Sequence, residues 1–259
     1  MPKINSYKTN LTNAAIKNHE ELWPDYKSKE KETDPELIEV FDNWAFDEVI
    51  SVSNMENKTR VMIILASNIA CQALTEYKMF VNAALNVGVT PVEVKEILYQ
   101  AVPYVGVAKV IDFIYATNEI FKERNIALPL EGQSTTTKEN RLEKGLTLQK
   151  DIFGEMIDKL YEQSPKNQLH IQQFLSANCF GDYLTRKGLD IKTRELLTYS
   201  MLISMGGAES QVKGHIRANV KVGNDKQKLI DVTTQLLPYI GYPRTLNALN
   251  CLNENIFEK

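Results

Sequence analysis

Two ionisable residues, Glu195 and His215, stand where chemistry is possible. Glu195 opens the run "ELLTYSMLISM", among Leu196, Leu197, Tyr199, Met201, Leu202 and Ile203. His215 is one of three histidines in the 259 residues. It lies in "GGAESQVKGHIRAN" (206–219), three residues after Val212 at the edge of a helical apolar face. Gln211, one turn earlier, shares its side. Burial alone disfavours an ionised carboxylate, and a nearby imidazole offsets that penalty. Together such a pair moves protons near neutral pH. Gln211 and Tyr199, the latter one turn beyond Glu195, are the candidates for orienting a substrate, whereas Arg217 points elsewhere. These residues alone leave a second reading open: a structural histidine at a helix edge, with Glu195 paired to Lys192 or Arg194 where a helix start favours negative charge.

The chain contains this stretch twice, which bears on the choice. "FDNWAFDEVISVSNMENKTR" (41–60) aligns with "LSANCFGDYLTRKGLDIKTR" (175–194) at an offset of 134. One residue is then gained, and "YKMFVNAALNVG" (77–88) aligns with "VKGHIRANVKVG" (212–223), and "VPYVG" (102–106) with "LPYIG" (237–241), at 135. Both halves close on Asn-Glu followed by Ile-Phe, within 118–121 and 253–257. The order and steady offset identify a tandem duplication. Glu195 then stands opposite Val61, His215 opposite Phe80 and Arg217 opposite Asn82. Apolar residues at the equivalent places of Glu195 and His215 mark interior-facing positions. A pair of groups present in one copy and absent from the other reads as a site kept in one half and lost from the other.

The elements that must position these residues are helices. Apolar residues recur at i, i+3, i+4 and i+7, glycine (12) and proline (9) are few, and strand-like alternation is almost absent, so the chain is expected to be all-α. In each half a long apolar helix (58–74, 192–205) is followed by a turn and a helix ending at "VG" (87–88, 222–223). "TPVEVKEIL" predicts a helix start with Thr90 as N-cap, Pro91 in the first turn and Glu93 at the capping-box position. The "PYVG" and "PYIG" segments predict a break before a last helix. The expected organisation is an N-terminal extension with one helix (1–34), a first repeat (35–127), a linker (128–149) and a second, site-bearing repeat (150–259). Within the extension, "LTNAAIKNHEELW" (11–23) is helical and "PDYKSKEKETDP" (24–35) a charged connector; "LPLEGQSTTTKENR" (128–141) reads as loop.

Composition narrows the function classes. A net charge of −3 without a long basic run argues against a nucleic-acid partner. No apolar run is long enough for a membrane span, and the polar N-terminus carries no secretory signal pattern. The three cysteines, Cys71, Cys179 and Cys251, are odd in number and far apart, which fits a reducing cytoplasm. No CxxC is present, and Cys179 and Cys251 read as core; a single-cysteine redox role for Cys71 is the weakest option retained. His19 and His170 lie in polar contexts and read as surface residues, so neither a protein-built metal site nor an organic cofactor is expected.

"GLDIKTRELLTYSMLISMGG", "QVKGHIRANVKVG" and "LLPYIGYPRTLNAL" resemble the carboxymuconolactone decarboxylase family, and "KTRVMIILASNIACQALTEYKMFVNAALNVGVTPVEVKEILYQAVPYVG" resembles a second, divergent copy. The resemblance implies an all-helical, AhpD-like fold in each half and assembly into rings, with a trimer of tandem chains imitating a six-unit ring. It implies two activities: decarboxylation of a small carboxylated γ-lactone, and thiol-dependent peroxide reduction through a glutamate, a CxxC pair and a histidine. Glu195 and His215 match the relay glutamate and histidine. The sulfur positions fall on Ala208 and Gln211, and in the first half on Ala73 and Glu76, so the peroxidase relay is not expected. Cofactor-independent acid–base chemistry on a small-molecule substrate is the expectation. A non-catalytic helical ring binding a small molecule or partner protein is the alternative.

Overall fold

The computed structural model describes residues 10–25, 28 and 30–255. Among them every regular element is a helix. The first copy begins with α1 (Asn13–Leu22), capped by Thr12, whose hydroxyl accepts the Ala15 N–H at 3.0 Å. The charged connector holds a single helical turn, α2 (Glu30–Thr33). Then come α3 (Pro35–Asn43), a π-helical turn (Trp44–Glu48) and α4 (Val49–Ser51). The copy is completed by α5 (Asn57–Cys71), α6 (Leu74–Asn86), α7 (Pro91–Val105) and α8 (Val107–Glu123).

The second copy repeats the scheme. It runs through α9 (Arg141–Phe153), α10 (Met156–Gln163), α11 (Leu169–Phe174) and a longer π-helical stretch (Leu175–Leu184). It continues with α12 (Ile191–Met205), α13 (Glu209–Lys221) and α14 (Lys226–Glu254). The α14 axis breaks at Gly241 (φ 75°), the counterpart of Gly106 (φ 86°), which separates α7 from α8. Both glycines adopt a conformation that other L-residues disfavour, which explains the "PYxG" break. The capping box on α7 forms as expected: Thr90 Oγ1 accepts from Glu93 N, and Glu93 Oε2 accepts from Thr90 N.

Two boundaries differ from the sequence reading. Helix α9 begins at Arg141, inside the segment read as linker, and carries its apolar residues onto the π-helical stretch after α11. The first copy's α1 packs in the same way on its own π-helical turn. The N-terminal helix is therefore the counterpart of α9, at the same offset of 134. Part of the closing Ile-Phe anchor, at 256–257, lies outside the described residues.

The copies share one core. Helices α5 and α12 are buried along nearly their whole length and pack on each other, with Ser204 Oγ donating to Ser67 Oγ at 2.8 Å where they meet. Each of these central helices also receives a helix from the other copy: α7 lies on α12, and α14 lies on α5. Paired polar contacts lock this exchange. Arg194 donates to Gln100 Oε1 (3.2 Å), and its counterpart Arg60 donates to Gln235 Oε1 (2.9 Å).

Candidate active site

Helix α12 starts at Asp190, whose carboxylate accepts the Thr193 N–H at 2.7 Å. That fixes Glu195 near the start of a helix with no solvent-facing side. Glu195 is fully buried, and its Oε2 lies 2.8 Å from His215 Nδ1 on α13. A buried ion-pair partner is what a carboxylate in this position requires. The neighbouring cations have other partners: Arg194 binds Glu96 at 2.9 Å, and Arg217 donates to Asn255 Oδ1 at 3.1 Å. Of the two sequence readings, the pairing of Glu195 with His215 is the one formed.

Two asparagines hold the helices in register. Asn219, one turn beyond His215, donates from Nδ2 to the main-chain oxygens of Glu195 (3.0 Å) and His215 (2.8 Å). Asn224 Nδ2 in turn donates to Asn219 Oδ1 and to Lys192 O, both at 2.9 Å. Sequence reasoning missed both, yet the copy-to-copy comparison contained the signal. They stand opposite Ala84 and Val89, so four polar residues in the second copy (buried Glu195, Asn219 and Asn224, and partly exposed His215) replace four buried apolar ones in the first (Val61, Phe80, Ala84, Val89).

His215 forms part of the wall of a cavity of about 450 Å³. The pairing occupies Nδ1 and leaves Nε2 as the nitrogen available to a ligand. Gln211 lines the same cavity, as does Ala208. Glu195 itself does not line it and sits behind the histidine. Phe153 meets the imidazole edge-on at 5.4 Å between centroids. Most of the remaining lining is aliphatic or aromatic, and it includes no lysine or arginine.

Tyr199 does not reach the site. Its ring is fully buried and its hydroxyl bonds Thr233 on α14 at 2.7 Å. Because α12 is covered on every side, a one-turn spacing from Glu195 did not reveal which neighbour Tyr199 would face. The tyrosine at the cavity is Tyr104, from the "PYVG" segment of the first copy, with its ring 6.0 Å from the imidazole. It arrives there because α7 packs across onto α12. Its hydroxyl is buried without a well-formed hydrogen bond, and burial pushes the phenol well above its usual range.

The thiols are poor candidates for redox work. Burial pushes Cys179, on the cavity wall, up to about 12. Burial also raises Cys71, with Arg244, which donates to its Sγ at 3.3 Å, acting in the opposite direction. Both are therefore held as thiols rather than as reactive thiolates. His19, read as a surface residue, is instead half-buried against Trp23 and Phe46, whereas His170 is exposed. Burial, with Lys31 nearby, lowers His19 to about 4.

The family model described as the carboxymuconolactone decarboxylase family matches this chain twice, at residues 35–119 and 170–254. The chain belongs to the carboxymuconolactone decarboxylase family. The two matches confirm that it is a tandem of two helical family units. A 4-carboxymuconolactone decarboxylase from Acinetobacter baylyi is 28% identical over 121 residues, covering 46% of this chain and 89% of that relative. Both matched segments of the family model include a candidate-site helix pair, α5–α6 in the first and α12–α13 in the second. Only the second pair carries the histidine and glutamate.

Proposed function

We propose that this chain is a cofactor-independent lyase of the decarboxylase kind, using His215 to transfer a proton on a small lactone or acid. The carrying observation is the 2.8 Å pair of His215 and buried Glu195 at the wall of a mostly apolar cavity. Loss of CO₂ leaves an electron pair on an extended enolate, and a positioned acid must then protonate carbon. His215 Nε2 is the group that meets the substrate. Glu195, behind it, accepts from Nδ1 and stabilises the imidazolium between turnovers. Gln211 orients the substrate. An apolar wall also strips water from a bound carboxylate, which favours spreading its charge into the leaving CO₂. With no lysine or arginine in the lining, the best-fitting substrate carries few charges.

The test is turnover of γ-carboxymuconolactone, which carries two carboxylates, and of a monocarboxylate lactone analogue by the wild type, His215→Phe and Glu195→Val, each checked for an unchanged helical spectrum. Wild-type turnover falling at least ~100-fold in both variants supports the reading. Wild-type turnover that survives His215→Phe contradicts it. The scarcity of charge in the cavity also favours a second reading, a ring that binds a small apolar molecule without converting it. Saturable binding with no turnover of any lactone or acid tried is its signature.

We also propose a homo-oligomer, a trimer of tandem chains. Val107 and its counterpart Tyr242 are both exposed, which offers like apolar contacts at two-copy intervals around a ring. Light scattering after size-exclusion chromatography tests this; a monomer contradicts it.

A further inference from the structure

A second cavity lies away from His215. It has a volume of about 400 Å³ and sits between α7, α8, the linker segment 128–133 and Arg186 of the second copy. Its most unusual lining residue is Lys95 on α7, which is only 6% exposed. The ammonium donates to Asn118 Oδ1 and lies 5.7 Å from the Phe121 ring centroid. Among the described residues no carboxylate is within ion-pair distance of it. Lysine is almost never buried to this degree without a partner.

The nearby charges do not neutralise it. Glu96 is the buried carboxylate of this region, and it is already committed. Arg186 grips it through Nε and Nη2 at 2.9–3.1 Å, and Arg194 binds it at 2.9 Å. Two guanidiniums thus share this one carboxylate, which leaves Lys95 without Glu96 as a counter-ion. Arg186 also stacks on Tyr99, 5.1 Å from the ring centroid, which presents a flat wall to the cavity. Glu131, on the linker, is exposed and forms no ion pair with Lys95. Desolvation lowers the Lys95 ammonium from its usual range, with no negative charge to oppose the effect.

The duplication supplies an independent argument. Lys95 stands opposite Ile230, a residue packed against the core of the other copy. The scaffold therefore folds with an apolar side chain at this place, and the lysine is not needed to build α7. A buried cation that the fold does not require, facing a cavity of ligand size, calls for an anion.

We propose that this cavity binds a small organic carboxylate, with Lys95 Nζ as the charged anchor, Asn118 as a second polar contact, and an apolar or aromatic body held between Tyr99, Ile114 and Leu130. The site is separate from the cavity at His215 and does not depend on the reading of that cavity. The geometry favours a monocarboxylate, because one unneutralised ammonium faces the space and the Glu131 carboxylate, also in the wall, disfavours a second negative charge on the ligand.

Calorimetric titration of the full chain with benzoate and with its neutral analogue benzamide tests the assignment. Wild type is expected to bind benzoate saturably and benzamide at least ten-fold more weakly. Lys95→Met should lower benzoate affinity at least ten-fold, leave benzamide binding unchanged, and keep or raise the unfolding temperature. Lys95→Gln, which retains a contact to Asn118, serves if the methionine variant does not fold. His215→Phe should leave benzoate affinity unchanged. The proposal is overturned if wild type shows no saturable benzoate binding, if benzamide binds equally well, if the Lys95 variants bind benzoate like wild type, or if binding disappears in His215→Phe instead.

Discussion

The two copies offer the same recess and fill it in opposite ways. In the second copy, His215, Gln211 and Phe153 surround an open cavity of about 450 Å³. In the first, Phe80, Glu76 and His19 occupy the matching positions around a space of about 160 Å³. Trp23 stands where the second copy has Ile157, and it closes the space by packing edge-on to Phe80 at 5.1 Å. Phe80 in turn meets Tyr239 at 5.4 Å, and the Trp23 indole N–H donates to Met79 O at 2.9 Å. The exchange of tyrosines is reciprocal: Tyr104 of the first copy reaches the second recess, and Tyr239 of the second reaches the first. One scaffold therefore tolerates either an acid–base pair with room before it or a packed aromatic cluster. Helix geometry alone does not select chemistry here; four polar-for-apolar replacements and one large side chain do.

The largest effect that separates the recesses is on turnover, where the loss of His215 is expected to exceed ~100-fold. Phe80→Ala, which opens the other recess, should leave turnover within about two-fold while lowering stability by about 3–5 kcal/mol. Next is the backbone contact that sets the second recess. Gly145 on α9 lies so close to the π-helical stretch that a Cβ there would sit 1.9 Å from Ser176 O. Gly145→Ala should cost about 3 kcal/mol, at the upper end for overpacking, and raise KM because it displaces the helix that ends at Phe153. Urea unfolding and steady-state kinetics measure both. The first copy has Leu11 and Asp47 at the places of Gly145 and Gly181, so no such close approach is made there.

Tyr104→Phe sharpens the comparison at smaller scale. Because its hydroxyl lacks a well-formed hydrogen bond, stability should change by less than about 1 kcal/mol. If the phenol contacts the substrate, kcat/KM falls about ten-fold; an unchanged value would confine Tyr104 to lining the wall. The last effect belongs to the first recess and bears on stability alone. His19 titrates at about 4 in the folded chain against 6.5 as the ordinary value. Between those values the unfolded chain binds a proton that the folded chain does not, so stability falls as pH drops through this window. Asp42, raised by burial, contributes a slope of the opposite sign. Comparing urea midpoints of wild type and His19→Phe from pH 7 to pH 4.5 isolates the histidine: the variant should show the shallower loss.

The helices, their caps and the pairing of Glu195 with His215 were legible because they depend on local pattern or on direct comparison of the copies. The α9 boundary was not, since its apolar residues are spaced by a packing partner, the π-helical stretch, that sequence periodicity does not announce. Tyr104 escaped because it belongs to the site of the copy in which it does not lie. That assignment follows from α7 crossing onto α12, a long-range contact with no local signature. Tyr199 was misplaced for the converse reason, because a helix buried all round gives no outward face to reason from. Asn219 and Asn224 were within reach of the same comparison that exposed His215.

The central claim is that Glu195 and His215 serve chemistry and not the fold. His215→Phe alone strands a fully buried carboxylate and should lower stability by about 3 kcal/mol. The double variant Glu195→Val/His215→Phe copies the first recess, and it leaves Asn219 bonded to main-chain oxygens that remain in place. Measuring the unfolding free energy of wild type, both single variants and the double variant completes the cycle. The account predicts that the double variant recovers to within about 1 kcal/mol of wild type, or exceeds it, while turnover stays abolished. A double variant as unstable as the sum of the two single changes would contradict it and make the pair structural.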